Sequence, residues 1–180
     1  MLTLIIPGEE YFNEEDQTFE TVGDVELLLE HSLVSLSKWE SKHLKPFLGK
    51  EVKTPEEILD YVKCMILTKD YPKDIFYRFN QKNIDQIHDY IESKSSATTF
   101  GMMPEHRGPG ETITSELIYY WMVAFTIPFE CEHWHLNRLF ALIRICNIKN
   151  APPKKMGRHE IAARNREINA ARRAQFNTRG

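Results

Sequence analysis

The chain carries its excess charge at its two ends. Residues 1–30 hold nine acidic side chains and no Lys or Arg, whereas residues 149–180 hold nine basic side chains and two acidic ones. The intervening segment is close to neutral, and the formal net charge of the whole chain is −3. A small net charge therefore conceals a dipolar molecule, which predicts that one or both ends meet a charged partner or each other.

A chain of 180 residues predicts one domain, or one domain with a tail, and is long enough to bury a core without metals or disulfides. Its three cysteines are an odd number, which argues against a disulfide framework and favours a reducing compartment. The apolar run Leu2–Ile6 is too short for a signal peptide, and no segment approaches the roughly 20 apolar residues of a membrane span. We therefore expect a soluble cytoplasmic protein without a membrane partner.

Alternating apolar and polar residues predict β-structure near the N-terminus. Leu2–Ile6, followed by a Pro-Gly pair, predicts a short strand. The polar and acidic residues 9–16 predict a loop. Within 17–30 the apolar residues recur at odd positions, which predicts a strand pair that turns around Gly23-Asp24.

Helical spacing dominates the middle of the chain. The patterns predict a helix that ends before Pro46, one that begins at the capping signal Thr54-Pro55-Glu56-Glu57, and three more over Asn83–Ser93, Thr114–Thr126 and Glu130–Asn147. The helix over Thr114–Thr126 is apolar almost all round and is predicted to be central. The fold class is therefore mainly α: a helical bundle of about five helices with a small N-terminal β element and a basic C-terminal helical arm.

The organisation along the chain predicts an acidic β element over residues 1–30, a helical body over 31–150 and a basic arm over 151–180. Pro152-Pro153 separates the arm from the body. Residues 156–175 are rich in Ala and Arg, which favours a helix. The apolar residues of this segment are Ile161, Ile168 and Phe176. They are too few for the segment to fold alone but sufficient for it to dock on a partner.

The densest cluster of potential metal ligands runs from Glu130 to His135. On a helix, Cys131 and His135 would share a face, whereas His133 would point elsewhere. A closed zinc site needs about four ligands, and no second Cys/His pair has suitable spacing. We interpret the cluster as a helix junction in which two glutamates complement a helix N-terminus, and we predict no metal and no cofactor.

No catalytic constellation stands out. Cys64 follows Lys63 among core positions, so we interpret it as a buried thiol rather than a nucleophile. Gly108-Pro109-Gly110 has glycines but neither the preceding strand nor the following Lys-Ser/Thr of a phosphate loop, and there is no Gly-x-Ser-x-Gly elbow. We therefore predict that the chain is not an enzyme.

The basic arm has two interpretations. It could neutralise nucleic-acid phosphates, or it could dock on an acidic protein surface. The arm has only Phe176 for base stacking and contains two glutamates, which favours a protein partner. Its candidate contact residues are Lys154, Lys155, Arg158, Arg164, Arg172 and Arg173.

Seven blocks of the chain together carry a family resemblance. They are EHSLVSLSKWESK (30–42), KPFL (45–48), IYYWM (118–122), IPFEC (127–131), HLNRL (135–139), NAARR (169–173) and NTRG (177–180). As a set, these blocks resemble the tail assembly chaperones of tailed bacteriophages. The resemblance covers the chain from about residue 17 to its end. It implies a non-catalytic assembly factor in the host cytoplasm that binds the long, helical tape-measure protein and keeps it soluble while tail-tube subunits polymerise around it.

A helical client suggests an aromatic docking surface on the body. The candidate residues are Trp39, Phe47, Tyr119, Tyr120, Trp121, Phe129 and Trp134, most of which we expect in the core, because aromatic side chains dominate cores as well as interfaces. The charged ends further predict self-association, with the arm on residues 9–30 of a neighbouring copy, or an arm bound to the client. Two alternatives stay open: a structural virion component such as a neck or tail-completion protein, and a small nucleic-acid-binding phage protein that uses the basic arm.

Overall fold

The structure is a computed structural model that describes residues 1–13, 17–100, 112–151 and 157–176. The chain divides into two compact units, Met1–Cys146 and Asn147–Gly180. The strands are β1 (Leu2–Ile6), β2 (Glu9–Asn13), β3 (Thr18–Val22) and β4 (Val25–Leu29). The helices are α1 (Leu33–His43), α2 (Pro55–Met65), α3 (Gln81–Glu92), α4 (Ser115–Ala124), α5 (Leu136–Asn150) and α6 (Arg158–Phe176), with two short 3-10 helices, η1 (Ile75–Arg78) and η2 (Phe129–His133). This mainly helical architecture with a small N-terminal β element confirms the predicted fold class.

The four strands form one long antiparallel hairpin with an interruption halfway along. β1 pairs with β4 from Leu2↔Leu29 to Ile6↔Val25, and β2 pairs with β3 from Glu9↔Val22 to Asn13↔Thr18. In both ladders the two residue numbers of every pair add up to 31, so the register is continuous across the interruption.

Two predictions for this region are wrong. The loop predicted over 9–16 is a strand over Glu9–Asn13, and residues 14–16 lie outside the described part. The strand pair predicted around Gly23-Asp24 does not form, because β3 and β4 follow each other in the same arm of the hairpin and pair with β2 and β1. Alternation identifies a strand, but its partner depends on register with a distant segment.

Side chains bridge the interruption of the hairpin. Pro7 lacks the N–H that a ladder requires, and the neighbouring Gly8 N–H donates to Asp24 Oδ1 at 2.8 Å. Arg78 of η1 is 8% exposed and donates from Nη2 to the carbonyl oxygens of Pro7 at 2.6 Å and Gly23 at 3.3 Å. One buried guanidinium thus ties both arms of the hairpin to the body.

Helix α1 lies at the centre of the first unit. Leu33, Leu36 and Trp39 are completely buried, and α1 contacts α2, α4 and η2. The helix begins after Ser32, whose side chain caps the first turn, and it ends at Leu44 in the left-handed region with φ 52°. Its apolar spacing was sufficient to predict the helix, since the buried residues recur every three or four positions.

The local capping signal predicts the start of α2 correctly, whereas the start predicted for α3 is two residues late. The Thr54 hydroxyl accepts the Glu57 N–H at 3.3 Å, and the Glu57 carboxylate accepts the Thr54 N–H at 2.9 Å, which confirms the predicted capping box. Helix α3 begins at Gln81 rather than at the predicted Asn83, because Asn80 and Asn83 form a second reciprocal cap.

Helix α4 is not central, contrary to the prediction. Its buried residues are confined to one side and are Ser115, Ile118 and Met122. Tyr120 and Val123 on the other side are 65% and 61% exposed. Because α1 occupies the centre, α4 packs against it with one side only. Apolar side chains on the other side of α4 are exposed, as apolar groups on protein surfaces often are.

The helix predicted over Glu130–Asn147 divides into two elements. The first is the 3-10 helix η2, and α5 begins only at Leu136. The backbone N–H of Leu136 donates to the carbonyl oxygen of His31 at 2.9 Å, just before α1. This tertiary contact at the start of α5 has no signature in the local apolar pattern.

The tail forms the helix predicted for it. The prediction over 156–175 is confirmed by α6, Arg158–Phe176. All its described side chains are exposed. The predicted break at Pro152-Pro153 lies outside the described residues.

Candidate protein-binding surface

Two of the predicted aromatic contacts belong to the core between α1 and α2. Trp39 is completely buried and donates from Nε1 to the Glu57 carbonyl oxygen at 2.8 Å. The ring of half-buried Phe47 stacks on Tyr61 with centroids 3.9 Å apart, and Lys53 Nζ lies 5.2 Å from the Phe47 ring centroid. Trp39 therefore offers no surface to a partner, and the Phe47 ring is largely occupied by its own neighbours.

Trp134 is also engaged within the chain. It lies between η2 and α5 and is half-buried. The Arg138 guanidinium lies over its ring at 3.9 Å, which is a close cation–π contact. This pairing stabilises the start of α5 and covers part of the indole.

Tyr119 joins α4 to η2. Its hydroxyl donates to Glu132 Oε2 at 2.8 Å, and its ring lies 6.4 Å from that of Phe129, measured between centroids. Burial and the hydrogen bond to the carboxylate raise the pKa of Tyr119 well above its usual value. The hydroxyl therefore stays protonated and holds the two elements together.

The exposed side of α4 and the adjoining η2 form what we call the aromatic-acidic face. Positions 116, 119, 120 and 123 recur at three- and four-residue spacing, so they share one side of α4. Its exposed members are Glu116, Tyr120, Val123, Phe129 and Glu130. Sequence reasoning singled out Tyr119, Tyr120 and Phe129 but placed Val123 in the core.

The segment that carries most of this face has a negative formal charge. The segment 112–132 contains three glutamates and no Lys, Arg or His. Hydrogen bonds from its own backbone N–H and from Thr114 lower the pKa of Glu116, which lies in the first turn of α4. Glu116 is therefore ionised at neutral pH, next to exposed apolar surface.

A buried carboxylate holds α4 in position. Glu40 of α1 is 7% exposed. Its Oε2 accepts the Ser115 N–H at 2.7 Å, and its Oε1 accepts the Phe47 N–H at 2.8 Å. Sequence reasoning missed Glu40, because a glutamate within a helix usually indicates a solvated position.

A second buried polar network joins α1, α2, α3 and α5. His31 Nδ1 and the Tyr61 hydroxyl are 2.6 Å apart, and the rings of His31 and His135 are 5.0 Å apart. His135 Nε2 donates to the Tyr90 carbonyl oxygen at 2.8 Å, while its Nδ1 accepts the Asn137 N–H at 3.3 Å. These contacts fix the neutral tautomer of His135.

Burial shifts the pKa values of the groups in this network toward their neutral forms. Burial, followed by the proximity of His135, lowers the pKa of His31 to about 4, and burial also lowers the pKa of His135. Burial raises the pKa of Tyr61 far above its usual value. His31 and Tyr61 are 4% and 1% exposed, so both side chains are buried.

The basic candidates lie in the second unit as far as they are described. Arg158, Arg164, Arg172 and Arg173 are exposed on α6. Lys154 and Lys155 lie outside the described residues. The exposed apolar residues Ile161, Ile168 and Phe176 accompany the arginines on this helix.

The remaining chemistry of the described residues is sparse. Cys64 is half-buried and Cys131 is buried, and burial raises the pKa of both thiols.

In the described ranges there is no group of three or more His, Cys, Asp or Glu side chains that could hold a metal ion. No helix among them is both long and apolar enough to cross a membrane. A cleft of about 400 Å³ beside α5 is lined by polar residues and by Phe100, Phe140 and Ala141, and the Phe100 ring centroid lies 4.2 Å from the Arg144 guanidinium.

No protein-family model, curated protein or solved structure matches this chain.

Proposed function

We propose that this chain is a non-catalytic tail assembly chaperone of a tailed bacteriophage. It binds the tape-measure protein in the host cytoplasm and recruits tail-tube subunits during tail assembly. The proposal rests on the resemblance of the seven sequence blocks and on three exposed apolar side chains of the aromatic-acidic face, Tyr120, Val123 and Phe129. The exposure of these three side chains is the observation that carries it.

The aromatic-acidic face has the properties of a docking site for an amphipathic helix. Tyr120, Val123 and Phe129 are 65%, 61% and 55% exposed, although each is large and apolar. Binding an apolar helix face would bury these side chains, and aromatic residues are the commonest anchors of such interfaces. The face also rests on a rigid support, since Glu40 and Tyr119 fix both of its elements.

The decisive experiment co-expresses the chain with the tape-measure protein of the same phage and measures how much of that client remains soluble. Wild-type chain should keep the client soluble and co-purify with it. The double variant Tyr120→Ser/Val123→Ser should lose most of this effect while it melts at the wild-type temperature.

The matched control changes the same residue types elsewhere on the body. Tyr77 and Val52 are 93% and 94% exposed and lie outside α4 and η2. Tyr77→Ser/Val52→Ser should retain the client. If both double variants behave alike, or if the client is soluble without the chain, the proposal is wrong.

One observation favours a second candidate function, a nucleic-acid-binding phage protein. Helix α6 presents five arginines, all exposed. Phosphate binding would weaken steeply as salt rises and would be lost when the tail is removed. Titration with duplex and single-stranded DNA at two salt concentrations separates this candidate from the chaperone.

A structural role in the virion remains the other alternative. Mass spectrometry of purified particles distinguishes the two roles, because a neck or tail-completion protein is retained in the particle and an assembly chaperone is absent from it.

A further inference from the structure

We propose that α6 of one copy docks on the aromatic-acidic face of a second copy, so that the chain self-associates head to tail. The contact does not depend on the proposed function, although a client helix and α6 would compete for the same face. It follows from two complementary surfaces that the described residues present.

The first surface is a stripe along α6. Ile161, Arg164, Ile168 and Arg172 follow one another at intervals of three and four residues, so they lie on one side of the helix. Ile161 and Ile168 are 45% and 39% exposed. We call this side the Ile-Arg stripe. A helix of this kind gains most of its stability when an amphipathic side packs against a partner.

The second surface is the aromatic-acidic face. It presents the same alternation with the opposite charge, since Glu116, Tyr120 and Val123 follow one another at intervals of four and three residues along α4. Phe129 and Glu130 extend it onto η2. Apolar residues can therefore meet apolar residues while arginines meet glutamates.

The charges of the two segments are equal and opposite. Helix α6 contains five arginines and two glutamates, a formal +3, and the segment 112–132 contains three glutamates and no basic residue, a formal −3. Complementary charge steers association and sets its register. Because each copy carries both surfaces, a second copy of this chain is the partner that supplies each surface with its complement.

A contact between two different surfaces is heterologous, so the copies form rings or open chains rather than a two-fold dimer. Sedimentation velocity of the full chain should show a mass above that of the monomer that increases with protein concentration and decreases with salt. A monomer at about 100 µM protein in low salt, far above the micromolar range of ordinary weak association, would overturn the proposal.

Charge reversal tests the location of the contact. Arg164→Glu/Arg172→Glu reverses the Ile-Arg stripe, and self-association should weaken about tenfold or more. The matched control, Arg166→Glu/Arg173→Glu, makes the same change in charge on the other side of α6 and should weaken it much less. Equal losses in the two variants would mean non-specific charge attraction and would overturn the proposal.

Complementation provides the strictest test. Glu116→Lys/Glu130→Lys reverses the face and should likewise give monomers, with folding verified by circular dichroism. An equimolar mixture of the stripe-reversed and face-reversed chains should associate again, since each then offers a complement to the other. If the folded mixture remains monomeric, the two surfaces do not bind each other.

Discussion

The carboxylate of Glu40 in α1 accepts a 2.7 Å hydrogen bond from the backbone N–H of Ser115, the first residue of α4. The same carboxylate accepts the Phe47 N–H with its other oxygen. The buried Glu40 side chain thus supplies the acceptor that the first N–H group of α4 lacks within the helix, and it fixes the helix that carries the aromatic-acidic face.

Glu40→Gln should destabilise the fold by about 1–3 kcal/mol, because an amide presents only one acceptor and turns its NH2 group toward a backbone donor. Urea denaturation followed by circular dichroism measures the change. Glu51→Gln, at an exposed position, is the control and should be nearly neutral. A neutral Glu40→Gln variant would contradict the role given to this carboxylate.

Acid should weaken the fold through His31. Its pKa is about 4 in the folded chain and about 6.5 in the unfolded chain, so the unfolded state binds more protons between these values. The contribution of His31 to the free energy of unfolding should therefore be constant above pH 6.5 and should fall by about 3 kcal/mol as the pH drops toward 4.

Urea denaturation at several pH values between 7 and 4.5 measures this dependence. His31→Gln should flatten the slope, even though it also lowers stability at neutral pH. An unchanged slope in His31→Gln would show that other groups cause the acid sensitivity.

Among the aromatic residues that the sequence suggested as partner contacts, Trp39 lies in the core. Because its side chain is completely buried, Trp39→Ala should cost about 3–5 kcal/mol of unfolding free energy. Tyr77→Ala, at a 93% exposed side chain, should cost little. Thermal melts of both variants test the contrast, and a stable Trp39→Ala variant would refute the placement of the indole.

Leu44 holds a backbone conformation that suits glycine better than leucine. It ends α1 with φ 52° and ψ 34°, and its side chain is 88% exposed. Leu44→Gly should raise the free energy of unfolding by about 1 kcal/mol, since it removes the steric penalty of the left-handed region. Leu44→Ala removes the same exposed surface but keeps the penalty, so it should give no gain in chemical denaturation.

Local patterns predicted the parts of the fold that depend on neighbouring residues. The capping box of Thr54 and Glu57 involves residues three positions apart, and the Ala- and Arg-rich composition of α6 acts within a single helix. These features need no knowledge of distant segments.

The errors concern contacts between distant residues. The pairing of β2 with β3, the burial of Glu40 and the start of α5 at Leu136 all depend on partners far away in the sequence. Of the candidate site, the sequence suggested Tyr119, Tyr120 and Phe129 as aromatic residues, but a helix rich in apolar residues looks the same whether it is central or peripheral. Only packing against α1 shows which side of α4 faces solvent.

The continuous register of the hairpin limits how its length can vary. Paired residue numbers add up to 31 on both sides of Pro7, so an insertion in β2 keeps the pairing only if β3 gains a residue as well. An unmatched insertion would turn every subsequent side chain of that arm to the opposite face. Descendants of this gene should therefore lengthen or shorten the distal half of the hairpin two residues at a time, while the junction held by Arg78 stays where it is.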